Sequence, residues 1–336
     1  MTSNTISIES QLTDLATTVA KIEAGEFLVI AADESLLNQL PSGNWIGGSI
    51  PYFMSEQGGL CNKEQAFIQT VHGIEGNAQP RITPYDSNSI SRIAQDAPDN
   101  GFTICILPAG SDVHTEYAQN APSYDNMFFN PIVGWISGVH LDDVAESSAK
   151  TVFGPGAMIM ADKAVAMHVS LPDNQMANIN IINLFEQGAG DKISFPSTTS
   201  NVDSCLVNGV ETSFSDYIAQ NNIDIRLPLV ADYNGINVNV SVQDATSQQV
   251  ALYAPVFEGV EYQFATPVSD YVTAFNQAIE TMDTAKSAFS CNCILNYLYS
   301  ELEGKKTANL TGPITFGEIA YQLLNQTLVY MTLESQ

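Results

Sequence analysis

A carboxylate near the end of this chain sits where its neighbours give it little to do. Glu318 closes the run Ile314-Thr315-Phe316-Gly317-Glu318 and leads into Ile319-Ala320. Gly312-Pro313 marks a turn before the run, and Gly317 lets another backbone approach closely. A carboxylate in such an apolar stretch must be solvated, paired or used on a ligand. It can receive an ammonium group; alternatively it bonds nearby backbone N–H groups or an arginine. Arg226, ahead of Leu227-Pro228-Leu229, can fork onto a ligand carboxylate, or can form a salt bridge with one of the chain's many acids. Gly47-Gly48-Ser49 can expose backbone N–H groups to a carboxylate or phosphate, or simply make a tight turn. No Lys follows it, so it is not a P-loop. Tyr321 and Tyr253 can line a pocket. The candidate ligand-binding set is therefore Glu318, Gly317, Thr315, Arg226, Gly47, Gly48, Ser49 and Tyr321.

Catalytic constellations are weaker. Cys291-Asn292-Cys293 places both thiols on one face if the segment is a strand, facing either a pocket or the core. The spacing is not a zinc signature, which prefers two intervening residues and a second pair. His72, His114, His140 and His168 are far apart, and none sits in an HExxH-like arrangement. His140 precedes Leu141-Asp142-Asp143, so a His–Asp pair is conceivable; His168, in an apolar strand, reads as a satisfied core residue. The alternative to ligand binding is a hydrolase or acyl-transfer enzyme using a cysteine or a carboxylate in the same cleft; Cys61 or Cys291 with His140 would supply the thiol, but no motif supports the pairing. No catalytic residue, metal or cofactor is assigned.

The elements that must position these residues follow from periodicity. Ile8, Leu12, Leu15, Val19 and Ile22 are spaced 4, 3, 4 and 3, which predicts one amphipathic helix ended by Gly25. Strands are predicted over Glu26 to Ala32, Ala66 to His72 and Phe102 to Leu107, and helices over Asp86 to Ala97 and, capped by Ser111, over Ser111 to Gln119. Met158 to Met160 and Ala164 to Leu171 read as two strands around Ala161-Asp162-Lys163. The centre is β-rich and antiparallel in character: Asn178 to Leu184 alternates, and Asn208-Gly209 and Asn234-Gly235 are hairpin signals. The last third returns to alternation, with an apolar helical face from Val268 to Met282, a strand over Ser287 to Ile294, a short helix over Asn296 to Glu303 and a closing strand from Gln326 to Leu333. The fold class is thus α/β, with layered mixed sheets flanked by helices and a β-rich antiparallel centre. The best boundary is Thr151 to Ala157, dividing residues 1–150 from 151–336.

Several segments carry a family resemblance. They are Ser290-Cys291-Asn292-Cys293-Ile294, then Gly312-Pro313-Ile314-Thr315-Phe316-Gly317-Glu318-Ile319, then Leu324-Asn325-Gln326-Thr327-Leu328. Together they resemble the end of the FIST domain: a strand ending in Cys, a "TFGE" segment, and "NQT" opening the last strand. Leu206-Val207-Asn208-Gly209-Val210 and Trp45-Ile46-Gly47-Gly48-Ser49 are similar to further FIST segments. The resemblance implies two related α/β lobes and a sensory domain inside the cell. It also implies binding of a small polar, amino-acid-like molecule and signalling to a protein partner. On that reading the ligand's ammonium meets Glu318 and its carboxylate meets Arg226 or the Gly47-Gly48 backbone.

Composition sets the outer limits. Eleven Lys and Arg against 37 Asp and Glu give a net charge of −26 over 336 residues. Nucleic acid and acidic membrane surfaces are excluded as main partners, because phosphates need clustered cations. The only adjacent cationic pair is Lys305-Lys306. Apolar residues make up 45 %, enough for a large core. The longest apolar runs are too short for a bilayer span, and residues 1–14 carry no basic export signal. Five scattered cysteines fit free thiols in a reducing cytoplasm.

Overall fold

A spacing of four residues satisfies period two as well as period 3.6, and Ile8 and Leu12 obey the former. In the structure, a computed structural model describing residues 5–74, 79–233, 236–246, 248–279 and 287–335, Ser7–Asp14 is a strand. Only Leu15–Glu23 is a helix. It starts where the Asp14 carboxylate accepts from the Thr17 N–H at 2.8 Å, and Gly25 (φ +79°) follows its end. The single predicted helix is therefore two elements serving different cores. Ile8 and Leu12 pack on the main core, while Leu15, Val19 and Ile22 join Leu28, Ile30 and Trp45 beneath the first sheet.

The chain is a mixed α/β protein in which strands dominate. The first sheet runs in the order Ser7–Asp14, Gln65–His72, Phe27–Ala32, Trp45–Ser49, Thr151–Phe153 and Met158–Met160. All its pairs are antiparallel except Phe27–Ala32 with Trp45–Ser49. The second sheet is ordered Gln322–Leu324, Glu318–Ala320, Ile132–Ser137, Gly101–Pro108, Ala164–Ser170 and Arg81–Tyr85. It packs against the first so closely that a Cβ on Gly48 would lie 2.6 Å from the Trp135 ring and 2.7 Å from Ile106. Its other face, with Cys105, Leu107, Ile136 and Ile319, receives the helix Asp112–Asn120 through Val113 and Tyr117. The predicted Ser111 cap is present, its hydroxyl accepting from the His114 N–H.

The third sheet is ordered Gln175–Ile182, Leu328–Ser335, Ser287–Cys293, Gly312–Thr315, Tyr52–Ser55 and Gly58–Cys61. A fourth antiparallel sheet joins Val210–Ser213, Ser204–Val207, Ile193–Ser194, Glu261–Phe264, Leu229–Tyr233 and Ile236–Val240, and a three-stranded one joins Thr199–Val202, Val250–Val256 and Val242–Asp244. Asn208 (φ +49°) and Gly209 (φ +83°) make the two-residue turn between Val207 and Val210, as their left-handed tolerance predicts. Asn234-Gly235 lies outside the described residues, between strands that pair antiparallel.

One further local expectation fails, and two features go beyond what the sequence predicts. Met158–Met160 and Ala164–Ser170 are the two strands predicted around Ala161-Asp162-Lys163; the first closes a hairpin with Thr151–Phe153, and the second belongs to the other sheet. Over Asp86 to Ala97 only Ile90–Arg92 forms a 3-10 turn, because Asp86 and Ser89 spend their side chains on local backbone bonds that compete with a helix. The composition change at Thr151 falls inside the first sheet. Strands from both sides of residue 150 also share the second and third sheets, through Ala164–Ser170 with Gly101–Pro108, Glu318–Ala320 with Ile132–Ser137, and Gly312–Thr315 with Tyr52–Ser55. Among the described residues no helix is long and apolar enough to cross a membrane.

Candidate functional site

Glu318 owes its position to a change of sheet. Thr315 ends Gly312–Thr315 in the third sheet, and Glu318 opens Glu318–Ala320 in the second. Phe316 and Gly317 carry the chain across, held by Phe316 N–H to Ile136 O (3.0 Å), Ile136 N–H to Gly317 O (2.9 Å) and Thr315 Oγ1 to Gly317 O (3.0 Å). The carboxyl therefore points between the sheets and is 0 % exposed. Its Oε2 accepts from Thr327 Oγ1 at 2.7 Å and from Thr327 N–H at 3.3 Å; its Oε1 has no hydrogen-bond partner. Burial pushes its pKa up to about 8 against the pull of Thr327 and the Cys293 thiol. At neutral pH the side chain is therefore mostly a neutral acid.

Around it lies a cluster of enclosed polar groups with unmet capacity. Trp135, directly opposite Glu318 across the strands, has an unpartnered Nε1, both amide atoms of Asn325 are unpartnered too, and Asn292 Nδ2 and Asn296 Oδ1 have no partner apart from the Tyr271 hydroxyl set against their amides. All are buried. Each such group costs on the order of 1–3 kcal/mol, and their concentration in one place calls for a cause. What bonds there are tie the cluster together: Asn296 Nδ2 donates to Asn292 Oδ1 (3.0 Å) and Thr327 O (3.2 Å), and Asn239 Nδ2 donates to Asn325 O (3.1 Å). Cys291 and Cys293 share the inner face of their strand, as the spacing requires. Burial first, and Glu318 second, push both thiols well above their ordinary value.

A cleft of about 170 Å³ reaches this cluster from outside, with Tyr271 and Asn296 in its wall and Asp224, Arg226 and Gln326 also lining it. Arg226 is exposed and already forked onto Asp224, with Nε at 2.9 and 3.1 Å and Nη2 at 2.7 Å from the carboxylate oxygens. The guanidinium holds Asp224 below the usual carboxylate range. Gln326, at φ +50°, donates from Nε2 to Arg226 O (3.0 Å) and accepts from Ser241 Oγ (2.7 Å). Its neighbour Thr327 holds Glu318, so one short segment joins the cleft to the buried acid.

The remaining candidates lie elsewhere. Gly47 and Gly48 are not in a turn: they sit mid-strand, paired on both edges, and Gly48 exists to admit Trp135. Their backbone is not free to bind an anion. Ser49 ends that strand, donates to Gly138 O (2.7 Å), accepts from the Lys150 N–H (2.8 Å), and borders a polar cavity of about 300 Å³ with Asp33, Lys63 and His140. Tyr321 (φ +63°) lies two strand positions beyond Ile319, on the face opposite Glu318, with its ring 5.5 Å from Phe128. Of the predicted set the structure brings Thr315, Gly317 and Glu318 together, links Arg226 to them through Gln326, and separates Gly47, Gly48, Ser49 and Tyr321.

No hydrogen bond among the described residues joins a cysteine to a histidine. Cys61 is exposed and pairs across the strands with Tyr52, and His140 stacks on the Tyr52 ring at 5.6 Å. Cys291 donates to Gly134 O. His168 is a satisfied core residue, bonded to Thr103 Oγ1 (2.8 Å) and Tyr85 OH (2.9 Å). The asparagines were the missed residues; Asn292 and Asn296, four apart across a strand-to-helix junction, were the available signal.

A larger cavity, about 530 Å³, opens between the helix Asp112–Asn120 and the short helix Ile294–Tyr299, with Tyr253 and Phe316 in its wall. A family model described as a family of unknown function matches residues 13–334. Comparison with curated proteins finds no match.

Proposed function

The chain belongs to that family, DUF6976, and from this premise we propose that it binds a small, polar, amino-acid-like molecule at the Arg226 cleft and signals its presence. The observation that carries the reading is the set of buried polar atoms with unmet hydrogen-bonding capacity behind the cleft, on Glu318, Asn292, Asn296 and Asn325. The exposed Asp224–Arg226 pair at the mouth offers a negative and a positive group side by side, which is what a zwitterion needs. Asp224, rather than the neutral Glu318, takes the ammonium. The ligand's polar side group faces Asn296 and Tyr271.

The FIST-like segments Thr315 to Glu318 and Asn325 to Thr327 are the ones that set the buried acid against this cleft, and we take the chain as FIST-like, with helices on the faces of sheets that both halves of the chain share. We place it in the cytoplasm, acting through a protein partner. A ligand that displaces Gln326 alters Thr327 and with it the hold on Glu318, which gives binding a route into the second and third sheets.

Thermal unfolding with each free α-amino acid and with matched simple amines and carboxylates tests this. Ligand at about 100 times its Kd stabilises by ~2.7 kcal/mol. At least one zwitterion should raise the melting temperature of the wild-type chain but not of Arg226→Ala. No shift with any of them, or equal shifts in Arg226→Ala, would overturn the reading.

A further inference from the structure

The larger cavity shares no lining residue with the Arg226 cleft, although the helix Ile294–Tyr299 stands between them: Ile294, Leu295 and Leu298 face one, Asn296 and Tyr299 the other. At about 530 Å³ it falls in the range of small-molecule sites. In a chain of net charge −26, not one of its lining residues is Asp, Glu, Lys or Arg. An ionised ligand would lose its hydration there and meet no counter-charge.

One polar group stands out. His114, in the first turn of Asp112–Asn120, lines the cavity. Its Nδ1 accepts from the Gly110 N–H at 3.2 Å, which places the neutral ring's proton on Nε2. That Nε2 is enclosed and has no partner. Burial pushes the imidazole down to about 4, so the ring stays neutral at physiological pH and offers a single uncharged donor.

We propose that this cavity is a second binding site, for an uncharged and largely apolar small molecule whose body rests on Leu252, Leu295, Leu298 and Phe316. A carbonyl-type oxygen on that molecule accepts from His114 Nε2. Nothing in this site depends on the Arg226 cleft.

Fluorescence titration of the full chain with 2-acetylnaphthalene, naphthalene and 2-naphthoate tests the assignment. The ketone should bind saturably and the carboxylate at least about tenfold more weakly, since its charge goes uncompensated. His114→Leu should weaken the ketone by about fivefold, the worth of one neutral hydrogen bond, and leave naphthalene unchanged. Thr115→Trp, which fills the cavity from an exposed position on its wall, should weaken both and keeps the test intact should His114→Leu fail to fold. Absence of saturable ketone binding, naphthoate binding as tight as the ketone, or Thr115→Trp binding as the wild type does would each overturn the proposal. So would an equal loss of ketone and naphthalene in folded His114→Leu.

Discussion

Replacing Glu318 by Gln should make the chain more stable relative to wild type the higher the pH. The carboxyl titrates near 4.5 when unfolded and at about 8 when folded. Between these values the folded state holds a proton that the unfolded state has released, so the contribution is fully present below pH 4.5 and drains as pH rises through 8. At 1.36 kcal/mol per unit, the loss between pH 5 and pH 8 is about 3–4 kcal/mol. Gln carries no such proton, and its carbonyl can accept the two Thr327 bonds that Oε2 now accepts. The neighbours Cys291, Cys293 and Tyr271, all pushed up by burial, stay neutral through this window and do not confuse the comparison. Urea unfolding of both proteins at pH 5, 6.5 and 8 reads the difference directly, because groups other than Glu318 titrate alike in the two chains. The stability of Glu318→Gln minus that of wild type should grow by about 3–4 kcal/mol from the lowest pH to the highest. A difference that stays flat, or grows toward acid, would refute the placement of Glu318 as a desolvated acid.

Other outcomes follow from single contacts. Gly48→Ala puts a Cβ 2.6 Å from the Trp135 ring and should cost about 1–3 kcal/mol, seen as a lowered urea midpoint. His168, enclosed between Thr103 and Tyr85, should show an NMR titration midpoint near 4. Because the unfolded ring takes up its proton first, this histidine removes stability as pH falls from about 6.5 toward 4. A midpoint near 6.5 would contradict its burial. Thiol labelling of the native chain should find one accessible cysteine, Cys61, and five after unfolding; rapid native labelling of Cys291 or Cys293 would mean that the polar cluster opens freely.

Local chemistry decided which parts of this fold were legible. The strands Phe27–Ala32 and Gly101–Pro108 declare themselves by β-rich apolar runs between breakers, and Asn208-Gly209 fixes its turn by backbone tolerance alone. The first helix was misread because Ile8 and Leu12 fit two periods at once, and only pairing with Gln65–His72 selects one. Gly47-Gly48 reads as a turn in isolation; the reason for glycine there is Trp135, 87 positions beyond Gly48 in sequence, whose approach no local pattern announces. A carboxylate in an apolar run did flag Glu318 as unusual, whereas Arg226 found its partner two residues back, at Asp224. The asparagine cluster was illegible because Asn292, Asn296 and Asn325 acquire meaning only when the third sheet and its helix bring them together.

The central claim is that the polar atoms behind the Arg226 cleft exist to meet a ligand. Crystals grown with the amino acid that most raises the melting temperature give the most direct view. The account predicts density in the cleft, with its ammonium on Asp224, its carboxylate on Arg226 and a polar atom within hydrogen-bond distance of Asn296 Oδ1. An unchanged Asp224–Arg226 fork over an empty cleft, with the ligand bound elsewhere, would contradict it.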